Sequence, residues 1–167
     1  MRNVACRGFS SLELLAVLAV TTVVLALAAS AYRTHTVREQ IASSIAFAAA
    51  IETRIVEAAG RLGEPPASAA EAGLAAAQIR GYGPYVDSLS IVDGRIELKF
   101  GASADPSIRG RTLSLTPFET ADREIVWLCG NRLPPPGLNP LGFANGTHQA
   151  VQLLTRIEAR YLPASCR

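Results

Sequence analysis

The chain has 167 residues, enough for one modest domain beyond a membrane-length segment. Hydrophobic side chains make up 49% of it, raised by an apolar N-terminal run and by alanine, and the formal net charge is only +2. No global basic field points to a nucleic-acid partner, although a local patch stays open. His35 and His148 belong to no cluster with metal-ligand spacing, and no nucleophile motif or phosphate-binding loop is present. An enzyme or cofactor reading therefore has no support.

The chain opens with a short leader, residues 1–8, made basic by Arg2 and Arg7. Ser10, Ser11, Leu12 and Glu13 follow, and then an uncharged run from Leu14 to Tyr32. That run is long enough to span a bilayer as a helix. Glu13 is the only charged side chain between Phe9 and Arg33, and a carboxylate at the edge of such a run marks a functional position. Neither proline nor glycine interrupts residues 9–59. Beyond Arg33 the pattern turns amphipathic: Val37, Ile41, Ile45, Ala48, Ile51 and Ile55 recur at helical spacing on one face. With Gly60 as the stop, the spacing predicts one helix of about fifty residues, roughly 75 Å long. Residues 9–32 are its apolar half and residues 33–60 its amphipathic half, which needs a domain to lie against.

Residues 61–167 supply that domain. Pro65 and Pro66 break the long helix. Ser68 and Glu71 match a capping box for a short helix ending near Gln78 or Ile79, with a turn over residues 81–84. Strand patterns follow. Leu89 and Ile91 alternate with serines, Asp93-Gly94 suits a two-residue hairpin turn, and Ile96, Leu98 and Phe100 alternate with charged residues. A third strand holds Leu113 and Leu115 and ends at Pro117. A fourth, residues 124–129, is apolar enough for both faces to be covered. The expected fold is α+β, a long N-terminal helical spine packed on a four-stranded antiparallel sheet whose apolar face the helix covers. Residues 133–146 read as an irregular loop. Thr147 is a candidate cap for a final helix over 148–161, with Val151, Leu154 and Ile157 inward. Asn145-Gly146-Thr147 matches a glycosylation sequon, but Asn-Gly is better explained as a turn.

The N-terminus resembles a type IV pilin precursor, of the type IVa kind with a class III leader, on Gly8-Phe9, on Glu13 and on the apolar run after it. Tyr32, Thr36-Val37-Arg38 and Gln40 look similar to the family where the helix leaves the membrane. The segments around Gly94-Arg95-Ile96, Gly110 to Leu113, Ile125 to Cys129 and Tyr161 to Cys166 resemble pilin head sequences in the same order. The resemblance implies cleavage between Gly8 and Phe9 by a prepilin peptidase and N-methylation of Phe9. It implies that Glu13 attracts the amino terminus of a neighbouring subunit during assembly. Further implied partners are other pilin subunits, an assembly platform and motor, and the inner membrane. The precursor is expected there with its head outside the cytoplasm, and the assembled subunit in an extracellular filament. Loss of the leader removes Cys6, Arg2 and Arg7, which leaves basic side chains equal to the 14 acidic ones. Cys129 and Cys166 remain, an even pair that an oxidising compartment lets join, the alternative being two free buried thiols. By the resemblance, the region they bound, residues 129–166, is an exposed surface that contacts neighbours or outside partners.

Two positions depart from the family. Thr22 and Ser30 stand where many type IV pilins carry a helix-weakening glycine and proline, and their hydroxyls can bond back to helix carbonyls. The expectation is a helix that stays more continuous in the assembled state. The departures keep a minor pilin or a type II secretion pseudopilin as alternatives. A different class also stays open, a membrane-anchored or secreted binding module. Its leader would be either a plain anchor or a signal peptide cut after Ala29-Ser30-Ala31.

Overall fold

The computed structural model describes residues 10–75, 83–144 and 146–167. Gly8, Phe9, the rest of the leader, the expected helix end at Gln78 or Ile79, the first part of the 81–84 turn and Asn145 of the sequon lie outside the described residues. The chain divides into two compact units, Met1–Thr36 and Val37–Arg167.

Helix α1 spans Ser11–Leu62. In the first unit its side chains are exposed through Arg33, from Leu12 at 77% to Tyr32 at 75% for the large apolar ones. Its threonine hydroxyls are satisfied within the helix. Thr21 Oγ1 donates to the Val17 carbonyl at 2.7 Å and Thr22 Oγ1 to the Ala19 carbonyl at 2.8 Å. Internal pairing of this kind frees both threonines from needing water, which suits a segment leaving aqueous solvent.

In the second unit α1 buries Val37, Ile41, Ser44, Ala48, Ile51, Ile55 and Ala58, spaced by three and four. Ile45, expected on this face, is only partly buried, and Ser44 takes the inner position. Ser44 is tolerated because its Oγ donates to the Gln40 carbonyl at 2.8 Å, so its own hydroxyl is not left unmet. The helix also runs past Gly60, which stays helical. Gly63 ends it instead, with φ +79° and its N–H bonded to the Ala59 carbonyl at 2.9 Å, and Pro65 blocks any continuation.

Four antiparallel strands follow in the order β1 (Val86–Val92), β2 (Arg95–Phe100), β3 (Thr112–Glu119) and β4 (Ile125–Cys129). A two-residue β5, Asn139–Pro140, pairs with Phe118 and Glu119 of β3. The β1–β2 turn places Asp93 at φ 49° and Gly94 at φ 78°, the two positive values that match the twist of a tight hairpin. Leu89, Ile91, Ile96, Leu98, Phe100, Leu113 and Leu115 form one buried cluster with the inner face of α1. Truncating a fully buried member such as Leu98 to alanine removes about 2–5 kcal/mol of stability.

Three expectations about this unit fail. Pro117 does not end β3, which continues to Glu119. The missing N–H costs no β2–β3 ladder bond, because that pairing ends at Leu115, and the Pro117 carbonyl accepts from Leu141 N–H at 3.1 Å. β4 is not covered on both faces: it lies at the end of the strand order and Val126 is 37% exposed. The helix expected at Ser68 is a single turn over residues 69–73. Glu71 takes the Ala67 N–H at 2.8 Å rather than that of Ser68. Gly73, at φ 71°, then leaves the helical region.

The largest difference is at the C-terminal side. Residues 148–157, expected within a final helix, form an extended strap with no regular secondary structure. Ile157 is buried as expected, but Val151 and Leu154 are 61% and 59% exposed. Thr147 caps nothing; its N–H and hydroxyl both bond Glu64, at 2.7 and 2.6 Å. The strap lies on the sheet face away from α1. Arg95 donates to the Val151 carbonyl and Ser114 Oγ to that of Leu153. This accounts for the near-complete burial of Ser114 and Thr116, outward-facing positions on β3. Its helical periodicity loses because a helix would keep its carbonyls to itself, whereas the sheet offers donors to an extended chain.

Candidate functional site

Glu13 sits in the first turn of α1, where the Ser10 carbonyl accepts the N–H groups of Glu13 and Leu14 at 3.0 and 3.1 Å. A carboxylate there lies at the positive end of the helix dipole, a favourable place for an acidic side chain. C-terminal to it, α1 is long and apolar enough to cross a membrane, and none of the qualifying stretch is buried within the chain. What the first unit offers is an apolar helix surface with one acidic side chain at its start.

The second unit offers a surface closed by a disulfide. Cys129 and Cys166 are bonded, with Cα atoms 4.5 Å apart and a sequence separation of 37. Cys129 ends β4, and Cys166 lies in the short 3-10 helix Ala164–Cys166. The Asn131 N–H donates to the Cys166 carbonyl at 3.1 Å, so backbone as well as sulfur joins the two ends. Between them the chain is held by side chains. Thr155 Oγ1 donates to the Thr112 carbonyl at 2.7 Å, past the point where β4 stops pairing with β3. Asn131 Oδ1 accepts from Thr155 N–H at 3.0 Å, and Arg111 donates to the Arg156 carbonyl. The outer surface of this region exposes Leu133, Phe143, Val151 and Leu154, each more than half accessible.

A cavity of about 420 Å³ opens where α1 ends, with Val56, Ala59, Ile125 and Leu141 among its walls and Glu64, Glu119 and Arg123 as its charged groups. The Thr147 hydroxyl and the N–H groups of Thr147 and His148 hold the Glu64 carboxyl below its ordinary value. His148 Nδ1 also reaches Asp93 Oδ1 at 2.9 Å, tying the strap to the β1–β2 turn. Among the described residues no group of three or more His, Cys, Asp or Glu side chains could hold a metal ion. The sequence reading missed Arg95, Arg111, Ser114, Thr155 and Glu64, all acting across long sequence separations. The one visible signal was the placing of small polar residues, Ser114 and Thr116, at alternate positions of an otherwise apolar strand.

An apolar helix with an acid at its start, and an α+β unit closed by a C-terminal disulfide, define the class of protein: a globular unit carried on a long N-terminal helix. Residues 37–167 match the family model described as pilin (bacterial filament), and the chain belongs to that family. It is similar to a fimbrial protein of Neisseria meningitidis serogroup A, at 28% identity over 99% of this chain and 96% of the relative. It is also similar to the type IV major pilin protein PilE1 of Neisseria gonorrhoeae, at 26% identity over 99% of this chain and 89% of the relative. The chain is thus a type IV pilin, a subunit of a pilus.

Proposed function

We propose that the chain is made as a prepilin, cut between Gly8 and Phe9 by a prepilin peptidase, methylated on the Phe9 amine, and polymerised into a type IV pilus filament. Its role is structural, not enzymatic. Before assembly the uncharged helix lies in the inner membrane with the globular unit outside the cytoplasm. An assembly platform and motor draw it into the filament, where it is extracellular. The observation that carries this reading is the exposed apolar stretch of α1 with Glu13 in its first turn, in a chain that belongs to the pilin family. Moving such helices from lipid into a protein core exchanges lipid contact for helix packing, so external work must drive the step. Glu13 supplies the specific attraction: in low dielectric its carboxylate and the Phe9 amine of a neighbouring copy offset each other's desolvation.

Mass spectrometry of the mature N-terminus tests the processing step. Methylated Phe9 supports it, whereas an N-terminus at Tyr32 or an uncut Met1 contradicts it. Assembly is tested with Glu13→Ala as the sole pilin gene product. Sheared surface filaments should fall to background while the subunit still accumulates in the membrane; parental filament yield would remove Glu13 from the assembly step.

A further inference from the structure

Charge is unevenly distributed along the globular unit. At one end, around residues 38–40 of α1, guanidinium groups gather. Arg38 Nε donates to the Arg160 carbonyl at 2.8 Å, and the Asp105 N–H to the Gln40 side chain at 2.9 Å, which brings in the loop carrying Arg109. Arg111 is bonded to the Arg156 carbonyl, and Arg167 Nε to that of Leu162 at 3.0 Å. The side chains of Arg109, Arg156, Arg160 and Arg167 are exposed. Three acids lie nearby: Asp105 accepts from Ser107 Oγ at 2.6 Å, Glu158 pairs with Arg160 at 2.7 Å, and Glu39 is an exposed neighbour of Arg38, so Arg38, Arg109, Arg111, Arg156, Arg160 and Arg167 outnumber them.

About twenty residues further along α1, roughly 30 Å at 1.5 Å per residue, carboxylates dominate. Glu57 and Glu64 come from the helix and the bend after it, and Glu119, Asp122 and Glu124 from the end of β3 and the turn into β4. Glu64 and Glu119 line the cavity there. Arg54, Arg61 and Arg123 offset these acids only in part.

We propose that these two ends dock on one another between copies of this chain, the guanidinium-rich end of one globular unit meeting the carboxylate-rich end and cavity of the next. The proposal rests on the filament assembly read above and adds the contact that joins the globular units. Two different, mutually complementary patches on one subunit make a heterologous contact, which can propagate as an open helical filament. Opposite charge at opposite ends also fixes polarity, because like ends repel. At about 420 Å³ the cavity has room for a guanidinium in place of several waters.

The test uses the full-length chain in cells that carry the assembly machinery, with filaments sheared and quantified against total subunit. Arg156→Glu with Arg160→Glu makes both ends acidic; Asp122→Arg with Glu124→Arg makes both ends basic. Each chain alone should lose most of its filament, and the two produced together should recover it as an alternating polymer. Where a reversed chain fails to accumulate, the neutral versions (Arg156→Gln with Arg160→Gln, and Asp122→Asn with Glu124→Asn) replace it, with filaments that break at lower salt than the parent. Parental yield from either reversed chain, or no recovery on co-production, overturns the docking. So does a loss confined to retention of duplex DNA by filaments of normal yield. A parental chain that forms no filament defeats the assembly reading and the docking with it, which separates the two failures.

Discussion

At the scale of single residues, the outer face of β3 contains an imperfection. Thr116 is completely buried and its hydroxyl has no hydrogen-bond partner. An unmet buried hydroxyl carries a desolvation penalty of about 1–3 kcal/mol, and valine has nearly the same shape without it. Thr116→Val should raise the unfolding free energy by about 1 kcal/mol in a urea titration of the purified full-length protein in detergent. Two carboxylates respond to pH with opposite signs. Hydrogen bonds from Thr147 hold the Glu64 carboxyl below its ordinary value, so its contribution is present above the unfolded value and lost as pH falls through the folded one. Glu64→Gln should therefore show a smaller drop in Tm on acidification than the parent. Burial raises the Glu52 carboxyl, so the folded state resists its ionisation and stability declines as pH rises through the raised value. Glu52→Gln should raise Tm at neutral pH, with the gain vanishing below the carboxylate range.

The element that most determines the surface of the globular unit is the strap between the cysteines. It is held by side chains rather than by a ladder, and it enters through one tight corner. Gly142 has φ +88°, and a Cβ there would lie 2.2 Å from the His148 carbonyl and 2.7 Å from the Pro65 ring. Neither neighbour is the loose end of a flexible side chain. Gly142→Ala combines backbone strain with a clash and should lower stability by more than about 2 kcal/mol, measured as a shift in urea midpoint. Protease cleavage within residues 141–157 should accelerate in the same variant, because the strap has little hydrogen-bonded structure of its own to fall back on.

At the scale of the whole molecule, the disulfide is a covalent cross-link between the end of β4 and the 3-10 helix that follows the strap. The 37-residue separation puts its contribution at roughly 4 kcal/mol on the chain-entropy account. Cys129→Ser with Cys166→Ser should lose stability of about that size by chemical denaturation, while far-UV dichroism keeps the signal of α1. Helix α1 should not share this loss, because no proline or glycine interrupts its residues from Ser11 to Ala59.

The sequence by itself determined the long helix, the position of Glu13, the four strands, the β1–β2 turn and the cysteine pair. Each is written in local terms: a glycine- and proline-free run, alternation of period two, the Asp93-Gly94 turn, and an even number of thiols once the leader is set aside. Local terms misled at residues 148–161, where apolar positions at helical spacing became an extended strap, and at Pro117 and Gly60, where strand and helix continued through residues that usually stop them. Only the tertiary structure decided these. Its reason is the demand of buried polar groups for partners: Arg95, Ser114 and Thr155 needed carbonyls or supplied hydroxyls across more than thirty residues of sequence, and satisfying them outweighed the helical propensity of the strap.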